Sequence, residues 1–278
     1  MLIRKREITK LSNNIRKAIN GETIDFRDNE EGSLSILKND IYNFINIKNG
    51  QLDAAVLEYK AMSEYIENIS HQLKTPITSM NIMMDLIEDA PREKQAEFLL
   101  GIRSSLNQME WLTATLLKMA KLDNKRVEFF KKETSVRELL DISVKSLEIL
   151  LDIKNQRVIL ENDILINCDK KWTAEALTNI IKNAVEYSKE NTAIKVNSGE
   201  NPIYSYISIE DSGEGIKKKD YKKLFTRFEN SRNENGYGVG LPLALSIIRS
   251  QDGDIDVDLG GNGRGAIFTI KLFKEKSD

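Results

Sequence analysis

The 278-residue sequence predicts a multidomain α+β fold. A helical hairpin pairs into a dimeric antiparallel four-helix bundle, and a separate domain of mixed strands and helices follows it. Three observations lead there. Two long amphipathic stretches, 51–88 and 92–122, meet at a short turn around Pro91. Beyond Lys125 and Arg126 the periodicity breaks into short strand-like runs alternating with helical ones. The second half also gathers its glycines into clusters, at 211–216, 236–241 and 261–268. These signals divide the chain into residues 1–50, 51–125 and 126–278.

In the first segment Ile8, Leu11, Ile15 and Ile19 recur at helical spacing up to Gly21, and Leu34, Leu37, Ile41, Phe44 and Ile45 begin a second helix. The connector from Asn29 to Leu34 is similar to the end of a HAMP linker, which makes 1–50 a membrane-proximal pair of signalling helices. The basic start, Met1 to Arg6, suits equally a chain continuing from a membrane helix and an ordinary soluble N-terminus. No apolar run approaches the ~18–20 residues that span a bilayer. Membrane anchoring is therefore expected through a segment preceding these residues, with the chain itself cytoplasmic.

The hairpin follows. Leu52, Val56, Tyr59, Met62, Ile66, Ile69 and Leu73 form one stripe, and Phe98, Ile102, Leu106, Met109, Leu112, Leu116 and Met119 form the other. Two helices cannot bury that much apolar face alone, so two hairpins combine and the chain is expected to be a homodimer, with the stripes as core. In the last segment helices are expected at 134–152, 170–188 and 241–251. Strands are expected at 157–161, 164–168, 193–198, 203–210, 254–259 and 265–273.

Composition narrows the function. Lys plus Arg number 41 against 43 Asp plus Glu, a net charge of −2 that leaves no electrostatic footprint for nucleic acid. The one cysteine, Cys168, excludes a disulfide framework and a cysteine zinc cluster, and its alternating surroundings place it in a buried strand.

The chemistry gathers in four places. His71, the single histidine, lies in Ser70-His-Gln-Leu-Lys-Thr-Pro76. A lone histidine is more often structural, but Thr75 stands one turn on along the same face, and Pro76 should bend the helix beside it. Neutral imidazole is a competent phosphoryl acceptor near neutral pH. Asn179 and Asn183 are i, i+4 neighbours on a helix whose other face carries Leu177, Ile180, Ile181 and Ala184, and their amide oxygens suit Mg²⁺. Asp211-Ser-Gly-Glu-Gly-Ile216 puts an acid at a strand end before two glycines that permit close approach of backbone to ligand. Gly236-Tyr-Gly-Val-Gly-Leu241 opens a helix whose N-terminus can meet phosphate. Between these two, Leu224 to Asn235 suits a lid. Each piece alone is an ordinary turn or helix surface; their order is specific.

In that order they resemble the homology boxes of bacterial sensor histidine kinases over residues 60–273. The resemblance implies a Bergerat-type (GHKL) α/β sandwich that binds ATP with Mg²⁺, and a response regulator receiver domain as partner. His71 would be the phosphoacceptor, and Thr75 would position water for dephosphorylating the regulator. Asn183 would hold Mg²⁺, Asn179 would assist at the phosphates, and Tyr187 would lie against the nucleotide. Asp211 would accept the adenine amino group, with Gly213 and Gly215 beside the base. Gly236, Gly238, Gly240 and Leu241 would flank the triphosphate.

Two positions depart from the family pattern. The acid that often follows the histidine is Gln72 here, which takes no proton; Glu67, one turn earlier, either substitutes, orients the imidazole or is a solvated bundle residue. Where a Lys or Arg usually precedes the tyrosine, the chain has Glu186, so Lys182, Arg227 or Arg232 must meet phosphate. The rivals are a gyrase- or chaperone-type ATPase, which would carry a glutamate at the Asn179 position, and a dimeric module that binds ATP without turnover.

Overall fold

The computed structural model describes residues 2–20, 22, 25, 27, 32–228, 238–260 and 265–274. It divides into two compact units, residues 1–68 and 69–278. The first unit holds α1 (Leu2–Ile19) and the start of α2 (Ser33–Ile87). The helix expected from Leu34 and the one expected from 51 are one 55-residue helix. Gly50, the only breaker near their junction, costs about 1 kcal/mol against Ala, too little to end so long a helix.

In the second unit α2 continues through Pro76. Proline has no N–H, so it gives the Gln72 carbonyl no helical hydrogen bond. After a turn, α3 runs Arg92–Asp123, and the Asn124 side chain closes it on the Ala120 carbonyl at 2.7 Å. The stripes behave unequally. Leu112, Met119 and Leu122 are buried, whereas Leu52, Val56, Met62 and Ile66 are exposed, as are Ile82, Leu99 and Leu106. Apart from Leu112, Met119 and Leu122 in the second half of α3, these apolar residues are not core within a single chain, because a two-helix hairpin has no second layer to lay over them.

The α/β part begins with a feature the sequence reading merged into a helix. Residues Lys132–Ser135 form β1, antiparallel to β3 (Leu165–Cys168), and α4 starts only at Val136 and runs to Ile153. Ser135 caps it, its hydroxyl accepting from Arg137 N–H at 3.1 Å. A five-stranded sheet follows in the order β2 (Arg157–Leu160), β4 (Ala193–Glu200), β5 (Tyr204–Glu210), β7 (Ala266–Phe273), β6 (Gly253–Leu259). Only β2 and β4 are parallel. Strict alternation gives the sheet one buried face, with Ile194, Val196, Ile207, Ile209, Phe268 and Ile270 pointing into it. Helices α4, α5 (Lys170–Tyr187) and α7 (Gly240–Arg249) supply the facing layer. A short 3₁₀ turn at Lys218–Asp220 leads into α6, Tyr221–Leu224. Cys168 is fully buried, and that burial pushes its thiol pKa up.

Candidate active site

The site forms along the solvent-facing side of α5. Leu177, Ile180, Ile181 and Ala184 are fully buried against the core, which turns Asn179, Lys182, Asn183 and Glu186 the other way. The C-terminal end of the helix is tied down. Lys154 Nζ donates to the carbonyls of Val185 and Glu186 at 2.8 Å each, and Gln156 Nε2 donates to the Lys189 carbonyl at 2.8 Å. These bonds satisfy carbonyls that a helix end leaves orphaned and fix Tyr187 at the rim.

A cavity of about 370 Å³ lies beside this face, a size suited to a nucleotide-scale ligand. Asn179, Asn183, Tyr187, Asp211, Gly213, Gly215, Gly238, Gly240 and Leu241 all line it. The two glycine clusters and the asparagine pair, far apart in sequence, thus meet at one cavity. Arg232 and Gly236 lie outside the described residues, as does the part of the expected lid from 229 onward. Arg227 is drawn to the end of α3, where its Nη2 lies 2.8 Å from both carboxylate oxygens of Asp123.

Asp211 is only 7% exposed, and its Oδ1 accepts from the Gly213 N–H at 2.8 Å. Burial pushes its carboxyl above the usual aspartate range, against the Gly213 and Ala266 backbone amides, which pull it down. An acceptor held in an apolar, hydrogen-bonded recess is suited to an exocyclic amine. Helix α7 opens at Gly240 with no side-chain cap among the described residues, and its first residues, Gly240, Leu241 and Pro242, line the cavity. A Cβ on Gly240 would come within 3.0 Å of Asn179 Oδ1, so glycine keeps that passage open. Asn179 Nδ2 donates to the Glu175 carbonyl at 2.9 Å, which fixes the amide.

Sequence reading missed several contributors. Gly265, in the third glycine cluster, has φ +76°, donates its N–H to the Gly213 carbonyl at 2.8 Å, and leaves no room for a Cβ, which would lie 2.0 Å from the Asp211 carbonyl oxygen. It locks the acid's strand to its glycine turn. Gly265→Ala is therefore expected to destabilise the domain by ~1–3 kcal/mol from the φ alone and to weaken nucleotide binding with it. Thermal unfolding and calorimetry that match wild type would reject that role. Trp111 on α3 also lines the cavity, and no local motif announces it.

The phosphoacceptor candidates lie on α2. His71 is exposed, Thr75 Oγ1 donates to the His71 carbonyl at 3.3 Å, and Gln72 is half-buried. Glu67 belongs to the first unit and is exposed. Among the described residues, no group of three His, Cys, Asp or Glu side chains is placed to hold a metal, and no helix is long and apolar enough to cross a membrane. The Asn183 side chain, which lines the cavity, offers an amide oxygen of the kind that fits Mg²⁺.

Residues 61–125 match the His Kinase A (phospho-acceptor) domain, and residues 168–276 match the histidine kinase-, DNA gyrase B- and HSP90-like ATPase family. The sensor histidine kinase WalK of Bacillus subtilis is 28% identical over 172 residues, covering 59% of this chain and 28% of that protein. The chain thus spans less than a third of that relative's length. The histidine kinase AdeS of Acinetobacter baumannii is similar in structure, with a TM-score of 0.62 at 25% identity over 73% of this chain and 97% of that one. Histidine kinase ThkA, solved in complex with the response regulator protein TrrA, shares the fold with a TM-score of 0.64 at 20% identity, over 82% of this chain and 66% of its own.

Proposed function

We propose that this chain, which belongs to the bacterial sensor histidine kinases, transfers the γ-phosphoryl group of ATP to its own His71 and then to an aspartate of a response regulator. The observation that supports the reading is the cavity itself, whose lining brings together a buried acceptor, Asp211, with Asn183 and the start of α7. Asp211 accepts the adenine amino group, and Tyr187 flanks the base. Gly238, Gly240 and the first amides of α7 meet the triphosphate, with Asn179 beside them. Asn183 would hold Mg²⁺, which would supply neutralisation of the charge that develops on the phosphates.

In the transfer, a lone pair on one imidazole nitrogen of His71 forms the N–P bond as the bond from Pγ to the bridging oxygen breaks. ADP leaves with that electron pair, and the imidazole proton passes to a base. With Gln72 beside the histidine, Glu67 is the candidate base. Thr75 positions the water that releases phosphate from the regulator. The same reading takes 51–125 as the dimerisation and phosphotransfer hairpin and 126–278 as the ATP-binding domain, with 1–50 linking them to a membrane-anchored sensor. The exposed apolar side chains Ile82, Leu99 and Leu106 support pairing with a second hairpin.

The ATPase alternative needs a carboxylate at Asn179 to activate water, and an amide has no such function. Incubation with γ-labelled ATP separates the readings. Acid-labile label on the protein is expected; free phosphate without labelled protein would indicate hydrolysis, and neither would indicate binding alone.

The raised Asp211 carboxyl adds a pH signature. Its folded pKa lies above its unfolded value, so the folded domain keeps a proton that the unfolded chain has released between the two. Its contribution to stability is thus present at low pH and lost as pH rises through the folded pKa. ATP affinity runs the opposite way, falling as pH drops through that pKa and the carboxylate is lost. Asp211→Asn is expected to raise Tm at neutral pH while costing ~1–3 kcal/mol of ATP affinity. Unchanged affinity by calorimetry would remove Asp211 from adenine recognition.

A further inference from the structure

We propose that Lys182 is the side chain that meets the ATP triphosphate, and that the Trp111 ring of the phosphoacceptor hairpin competes with the nucleotide for it. This rests on the nucleotide reading of the cavity and goes beyond it by coupling that site to α3.

Lys182 lies between the two asparagine-bearing turns of α5 and lines the cavity. Its Nζ stands 3.8 Å from the Glu186 carboxylate and 5.2 Å from the centre of the Trp111 ring. Both partners also line the cavity. These two neighbours keep the ammonium beside the cavity, although the side chain is 42% exposed. Both contacts are of the weak, part-exposed kind. Charge-assisted bonds to phosphate oxygens are stronger, so bound triphosphate wins the ammonium. Arg227, the other described candidate for that contact, is already paired with Asp123.

The Trp111–Lys182 contact is one of a series. Lys118, two turns after Trp111 on α3, pairs with Glu175, two turns before Lys182 on α5. Side chains thus span the two helices in antiparallel register. Asp123 and Arg227 continue the ties at the end of α3, and Met119 and Leu122 anchor it in the apolar core. The nucleotide end of this seam is the one contact made by a cavity-lining cation. When triphosphate takes Lys182, that end opens while the others remain, and the hold of α3 on the ATP-binding fold becomes dependent on nucleotide.

The test titrates the full chain with MgATP and with adenosine, by calorimetry and by tryptophan emission. Trp172, packed against Phe129 with ring centres 6.0 Å apart, serves as the constant second fluorophore. For Lys182→Met, ATP affinity is expected to fall about tenfold with adenosine affinity unchanged. For Trp111→Leu, ATP affinity is expected to rise about two- to fivefold, again with adenosine unchanged. Wild-type emission should respond to ATP and not to adenosine, and Lys182→Met should lose the response. Parallel loss of ATP and adenosine affinity in Trp111→Leu would make the ring a plain cavity wall and overturn the proposal, as would unchanged ATP affinity in Lys182→Met. A wild-type chain that binds neither ligand would instead overturn the nucleotide site itself.

Discussion

His71→Ala is expected to abolish acid-labile phosphorylation while leaving ATP affinity within about twofold of wild type. The two halves follow from separate features. The chain has one histidine, so no second imidazole can take the phosphoryl group. His71 is exposed on α2, and alanine is the best helix former, so the substitution removes a nucleophile and leaves the helix intact. The cavity is lined by residues of α3, α5, α6 and α7, by the turn after β5 and by the start of β7, and His71 is not among them. Filter binding for the label and calorimetry for the nucleotide read the two halves independently. Histidine-type label persisting in the variant would move the acceptor elsewhere; lost ATP binding would mean that the variant had damaged the fold.

The second large effect concerns Gln72. General-base assistance is typically worth ~10²–10⁴-fold, and an amide supplies none. Gln72→Glu is therefore expected to accelerate autophosphorylation within that range, and Glu67→Gln to slow it if Glu67 now serves as base. Position 72 tolerates the change: its side chain is only half-buried, and a carboxylate there can remain hydrated. The carbonyl of the same residue already lacks a helical partner because Pro76 has no N–H, which leaves the backbone at the acceptor easier to adjust. Single-turnover rates at saturating ATP isolate the chemical step from binding and lid closure. Flat rates in both variants would show that proton removal is not limiting and point to regulator contact as the role of Gln72.

What could be read from the sequence follows the range of the interactions involved. Asn179 and Asn183 were legible because a helix places i and i+4 on one face whatever surrounds it. Asp211, Gly213 and Gly215 were legible as a strand end and a glycine turn. Strand β1 was not: Thr134 and Ser135 signal a helix cap, and the pairing with β3 that is nearest in sequence joins Ser135 to Leu165, 30 residues on. The helix runs unbroken across residues 50 and 51, because one glycine is a weak interruption in a helix of 55 residues. Gly265 was legible as a turn residue, but its close approach to Asp211 exists only once β5 and β7 pair. Trp111 carries no local signal, since a tryptophan on an amphipathic helix looks like bundle core. Arg227 shows the converse: proximity to the lid suggested phosphate, and the fold gave it Asp123.

The most direct measurement is ³¹P NMR of the full chain after incubation with MgATP, recorded before and after acid treatment, with the phosphoryl group localised by mass spectrometry on a sample kept at basic pH. The account predicts a phosphoramidate resonance, at most one group per chain, carried on His71, stable in base and lost in acid. ATP consumed to free phosphate with no phosphoramidate, or a stable phosphoryl group on any other residue, would contradict it.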